Sequence, residues 1–328
     1  MIEKEINSID ELLQFVMELN AKHGLRLWYR GVANSAWPLL PSIQRTKHRI
    51  ESERYITNDF YIKAKQVLDD CPEKKNYSAW MSIMQHYGLP TRLLDWSQSP
   101  LISTFFAVEK YKDFPQTNAC IWVLAPGKLN ETEGFGNCIY PVDADTVQNM
   151  LLPAFKENGH VAELSNKIIA CHSTENNLRM YSQQANFTIH NSLKRLEDIC
   201  DENTLYKIII PAKIREYFLY SLEIFGITES FVYPDLDHIA HDLKRAYNIL
   251  YIDVLFGHCT KSLMAPDITK STDFRKEVKV EKPSSTPIYE HSSNRRQGHG
   301  GNCPCSQSEK YKRKQKPYPP RYPNRGHL

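Results

Sequence analysis

Over the first 260 residues, short apolar runs of strand periodicity alternate with stretches of helical periodicity. A chain patterned this way must pack helices against a sheet. Ser8-Ile9-Asp10-Glu11 is a capping box ahead of Leu12, Phe15, Val16 and Leu19 on one helical face, and Gly24 ends that helix. Leu25–Arg30, Thr91–Ser97, Ala119–Ala125, Asn186–His190 and Tyr206–Pro211 read as strands. Ile50–Leu68, Tyr77–Tyr87, Ala212–Phe225 and Pro234–Leu250 read as helices, and Ser99 followed by Pro100 starts another. The expectation is a mixed α/β (α+β) domain, residues 1–260, with a mixed sheet flanked by helices. No internal repeat occurs.

Beyond residue 261 the pattern fades. Residues 271–328 carry 13 Lys/Arg against 5 Asp/Glu, whereas the first 270 carry 28 against 33, so the net charge of +3 conceals an uneven distribution. Composition there turns to Pro, Ser, Gly, Tyr and Lys, which cannot bury enough apolar surface to offset chain entropy. Residues 261–328 are therefore expected to be a disordered tail. The bland function of such a tail is solvation; its Lys/Arg interleaved with Tyr also suit nucleic acid or an acidic partner. Cys303 and Cys305 near His299 fall short of a four-ligand zinc set, so no metal is expected. The eight cysteines show no pairing rhythm, and no disulfide is expected. No run of about 18 apolar residues and no basic-then-apolar leader occurs, which points to a cytoplasmic protein without a membrane partner.

Two segments concentrate chemistry. In Trp28-Tyr29-Arg30-Gly31 an arginine ends an apolar strand, and Gly31 permits close backbone approach or a positive φ. Its guanidinium suits phosphate or carboxylate, including, on the bland reading, a carboxylate at the edge of the core. The segment from Gln85 to Pro100 sets Gln85, His86, Tyr87, Gly88, Thr91, Arg92, Asp95, Trp96 and Ser97 between apolar runs. Such polar density is costly unless it satisfies itself or binds something. Asp95 is placed to pair with Arg30 or Arg92, and His86 is either an acid/base group or a structural hydrogen-bonder at a helix end. Tyr233-Pro234-Asp235-Leu236-Asp237 reads as a helix start, with proline at the first position and carboxylates in the first turn.

Tyr29-Arg30-Gly31 with Trp37-Pro38-Leu39 and Pro41-Ser42, the segment Gln85 through Trp96, and Phe105-Phe106-Ala107 closely resemble the FRG domain family, named for its Phe/Tyr-Arg-Gly motif. Arg179, Gln183-Gln184, Phe187-Thr188 and Val232 through Asp237 extend the resemblance, which covers about Leu12 to Leu250. That family is bacterial and phage-associated.

A remoter resemblance, to ADP-ribosyltransferases, rests on the Tyr-Arg-Gly strand end, the strand Leu93–Ser97 feeding the serine-containing helix Ser99–Ala107, and the passage Tyr206–Ile214. It implies a largely antiparallel sheet and an NAD pocket. Within that pocket, cofactor-binding roles fall to Tyr29, Arg30, Gly31, Gln85, His86, Tyr87, Gly88, Thr91, Arg92, Trp96, Ser97 and Gln183, and catalytic roles to Arg30, Asp95 and Asp235. The chain departs from that pattern where the catalytic glutamate should stand: Leu205 precedes Tyr206, Asp201 and Glu202 are out of register, and Glu131-Thr132-Glu133 reads as loop. Asp95, Glu229 or Asp235 are the substitutes at hand. Three functions remain in view: an NAD-consuming enzyme of toxin or antiphage defence, a module that senses a nucleotide without turnover, and a nucleic-acid-associated protein working through its tail.

Overall fold

The computed structural model describes residues 2–24, 27–45, 50–173 and 178–256, without the side chains of residues 50, 51 and 248–256. The basic tail and its cysteines lie outside the described residues.

Among the described residues, one sheet of eight strands is formed by β1 (Ile2–Glu5), β2 (Trp28–Val32), β3 (Leu93–Ser97), β4 (Ala119–Leu124), β5 (Tyr140–Pro141), β6 (Ile168–His172), β7 (Ala185–His190) and β8 (Leu205–Ile210). Their order across the sheet is β1-β8-β4-β2-β3-β7-β6-β5. The two outermost pairs, β1 with β8 and β5 with β6, are parallel, and every other pair is antiparallel. The sheet is thus mixed and mostly antiparallel, as expected.

Helices α1 (Ile9–His23), α2 (Ile50–Ala64), α3 (Tyr77–His86), α4 (Pro100–Val108), α5 (Pro126–Thr132), α6 (Asp145–Leu151), α7 (Leu178–Ser182), α8 (Leu196–Ile199), α9 (Arg215–Ile224), α10 (Glu229–Val232) and α11 (Leu236–Phe256) surround it. The cap forms with its return bond shifted by one residue: Ser8 Oγ accepts from Glu11 N, and Glu11 Oε2 accepts from Asn7 N, the residue before the cap. Ser99 caps α4 by accepting from Ile102 N, with Pro100 at its first turn. Gly88, at φ +78, ends the α3 segment in a conformation that costs a residue with a Cβ.

Several local expectations are corrected. The helix expected from Ala212 begins as a 3-10 turn, with α9 starting at Arg215. Pro234 lies before α11, and Asp235 caps that helix through its carboxylate, which accepts from His238 N at 2.9 Å. Glu131 and Thr132 close α5 rather than lying in a loop: Lys128 pairs with Glu131, and Glu133 Oε2 accepts from Ile168 N.

Strand alternation divides the core in three. On one face, Tyr29, Val123 and Ile208 meet α1, α4 and α9 through Leu12, Phe105 and Phe218. On the same face farther along, Leu93, Ile169, Phe187 and Ile189 meet Trp80, Met84 and Met150 of α3 and α6. On the opposite face, Trp28, Leu94, Trp96 and Trp122 form a tryptophan-rich apolar layer covered by Leu39, Leu129 and Leu196. Each cluster removes large apolar side chains from water, at about 1.5–3 kcal/mol per fully buried side chain.

The first two cores are divided by a seam. β2 and β3 share a single ladder pair, Tyr29 with Ser97, whereas β2 with β4 and β3 with β7 each share five. Past that pair the central strands separate.

A candidate functional site at the sheet seam

The gap between β2 and β3 opens into a cleft of about 690 Å³, within the range of about 300–1,000 Å³ usual for ligand sites. β2 and β3 supply Tyr29, Arg30, Gly31, Asp95, Trp96 and Ser97; α4 and its end supply Ser103, Phe106, Glu109 and Lys110. The segment after β2 adds Trp37 and Arg45, and α7 with the turn after it adds Arg179 and Gln183.

Arg30 sits where the ladder fails. Its Nη1 donates to the Asp95 carbonyl at 2.6 Å, bridging the strands with a side chain in place of a backbone bond. Burial pulls its pKa down to about 10, opposed by Asp95 and reinforced by Arg45, so it stays charged at neutral pH. Asp95 lies open to the cleft yet is enclosed by protein. That desolvation raises its pKa, against the lowering pull of Arg30, a hydrogen bond from Gln85, and the charges of Arg179 and Arg45. Desolvation likewise lowers Arg45, with Asp95 opposing.

A relay fixes the Asp95 carboxylate. Thr91 Oγ1 donates to Gln85 Oε1 at 3.1 Å, which turns the amide so that Gln85 Nε2 donates to Asp95 Oδ1 at 2.5 Å. Glu109 is a second carboxylate on the wall. Tyr233 donates to its Oε2 at 3.0 Å, and burial raises its pKa although that bond and Lys110 pull it down. The Tyr233 ring in turn carries the Arg179 guanidinium 4.9 Å from its centroid.

Gly31 serves packing. A Cβ there would stand 1.8 Å from the Ser103 carbonyl oxygen and 2.6 Å from Ala107 N, so the close backbone approach is to α4. A positive φ is not involved.

Of the residues read from the sequence, the structure brings Tyr29, Arg30, Gly31, Asp95, Trp96, Ser97 and Gln183 to the cleft wall. Gln85 and Thr91 stand behind Asp95 as its supports. His86, Tyr87 and Gly88 end α3 away from the lining, with burial and Arg179 lowering the His86 pKa. Arg92 faces the other way: it forks onto buried Glu53, Nη2 to Oε2 at 2.6 Å, and donates to Asn191, beside a separate cavity of about 260 Å³. Asp235 is occupied in capping α11 and pairing with His238, and does not line the cleft. Asp201 and Glu202 do not reach the lining either, and no β8 residue does.

Sequence reasoning missed Arg45, Glu109 and Lys110. Arg45 follows a single 3-10 turn, and Glu109 caps the C-terminus of α4, two residues past the quoted Phe105-Phe106-Ala107. Neither position carries a periodic or motif signal.

Fold and cleft together define a mixed α/β protein with an arginine-rich site at a break in its central sheet. Residues 25–116 match the family model of the FRG domain. The match runs from β2 past α4, and so contains Arg30, Arg45, Asp95 and Glu109 but neither Arg179 nor Gln183. No curated protein and no solved structure matches the chain.

Proposed function

We propose that the seam cleft binds a phosphate-bearing nucleotide, with NAD the first ligand to test. One observation carries this reading: Arg30, Arg45 and Arg179 converge on one cleft, and among the described residues no carboxylate stands at ion-pair distance from them. The arginine ion pairs among the described residues all belong elsewhere, at Arg54, Arg92, Arg195 and Arg245. With Lys110, four cations face two carboxylates, Asp95 and Glu109. Guanidinium forks match phosphate oxygens, and Trp37 and Phe106 offer ring surface for a base.

A second reading adds turnover. Asp95 and Glu109 are carboxylates beside a site for an anionic ligand, and a carboxylate is what stabilises an oxocarbenium-like ribosyl cation as nicotinamide leaves. This would make the protein ADP-ribosyltransferase-like, and the bacterial, phage-associated resemblance suggests toxin activity or antiphage defence as its setting. Affinity of the residues 271–328 for nucleic acid or an acidic partner is a proposal resting on composition alone.

The test is titration of the full chain with NAD, ADP-ribose and ATP, alongside an assay for nicotinamide release. Binding that Arg30→Ala abolishes supports the nucleotide cleft. Binding without release leaves a sensing module and removes the enzyme reading. No binding of any of the three rejects both.

A further inference from the structure

A second cluster of chemistry-bearing side chains lies between α10 and α11. Glu229 opens α10, and His241 and Asp242 sit one turn and a half into α11. Their donor atoms, one imidazole nitrogen and a carboxylate oxygen from each acid, all lie within 4.8 Å of one another. His241 Nδ1 stands 2.7 Å from Glu229 Oε2. Asp242 Oδ2 accepts from Ser230 N at 2.9 Å, while its Oδ1, out of solvent contact, has no hydrogen-bond partner of normal geometry.

A carboxylate oxygen out of solvent is costly unless something compensates it, and around Asp242 the protein groups at hand are the side chains of Thr228, Ser230 and Arg245. A nitrogen and two carboxylate oxygens at this spacing are a partial coordination shell that suits a first-row divalent cation, with water completing it. We infer that Glu229, His241 and Asp242 form a divalent-cation site that clips α10 onto α11.

The clip would steady one wall of the cleft. The carbonyl of Val232, at the end of α10, accepts from Ser182 Oγ at 3.3 Å and from Gln183 Nε2 at 3.1 Å. Tyr233, the next residue, bonds Glu109 and carries Arg179 on its ring. The metal site itself does not depend on the nucleotide reading, since it shares no residue with the cleft lining.

Manganese titration of the full chain, read by loss of the free-ion paramagnetic resonance signal, tests the site. Manganese is the probe because the thiols Cys303 and Cys305 favour softer ions. Wild type is expected to take up one equivalent, and Glu229→Gln and His241→Gln each to weaken binding at least about tenfold, since even outer-shell changes cost that much. Far-UV circular dichroism checks that the variants fold, and Cys303→Ser/Cys305→Ser is expected to bind like wild type. Manganese uptake that both α10–α11 variants retain, uptake lost only in the cysteine variant, or no uptake by wild type would each overturn the inference.

Discussion

Arg30 reaches across the sheet seam to the backbone carbonyl of Asp95, Nη1 to O at 2.6 Å, and so holds two strands together and borders the cleft with one side chain. One donor of its fork is committed to β3, and the proposed ligand would engage the others. If the proposed nucleotide cleft is right, the arginine is structural and binding at once, which shapes how it should be tested.

Arg30→Lys keeps the charge but replaces a planar fork with a single ammonium, which cannot hold Asp95 O and bridge two phosphate oxygens together. Nucleotide affinity is expected to fall at least about tenfold, roughly 1.4 kcal/mol, by calorimetry, with the folded state retained. Affinity equal to wild type would remove Arg30 from the binding site.

Asp95 and Glu109 both have pKa values raised by desolvation, so ionising them costs the native state. Stability from this source is fully present below the ordinary carboxylate pKa and is lost as pH rises through the raised value. Asp95→Asn is therefore expected to raise the melting temperature of the ligand-free protein near neutral pH. Because each proton taken up removes a negative charge from the cleft, affinity for an anionic nucleotide should increase as pH is lowered from neutrality through the raised carboxylate range. Affinity that declines over that interval would place the ligand's charge elsewhere.

Gly31→Ala drives a methyl group into the backbone of α4, at a contact that no rotamer change relieves. A loss of at least about 1–3 kcal/mol is expected in urea denaturation. Wild-type stability in this variant would mean that α4 does not lie against β2 as described.

Glu53 and Arg92 form a buried pair, with side-chain exposures of 1% and 6%. Glu53→Ala leaves a guanidinium stranded in the core and is expected to cost about 3–5 kcal/mol. Nucleotide binding by whatever fraction folds should be unchanged, because neither residue lines the seam cleft.

Much of the sheet was legible from sequence because its inner strands are apolar runs bounded by turn residues. Ala119–Leu124 is buried at every position, and Ser8, Ser99 and Gly88 punctuate their segments as their chemistry requires. β1 escaped because Ile2-Glu3-Lys4-Glu5 is a charged edge strand, whose pairing with β8 depends on residues some two hundred positions away. β6, a short apolar run, also went unread. In the site, Arg30 and Asp95 stood out as charges inside apolar strands. Their neighbours did not: Arg92 has the same local appearance as Arg30, and only the placement of Glu53 on α2 turns it toward the core. Arg45, Glu109 and Arg179 come together through tertiary packing of three separate segments.

The single ladder pair between β2 and β3 leaves the domain with a line of mechanical weakness through its middle. Each half-sheet is tightly laced within itself, β1-β8-β4-β2 on one side and β3-β7-β6-β5 on the other. A molecule seated in the cleft touches both halves and fastens them with its own bonds. Its arrival should therefore be felt as slowed amide exchange in strands far from any atom it contacts.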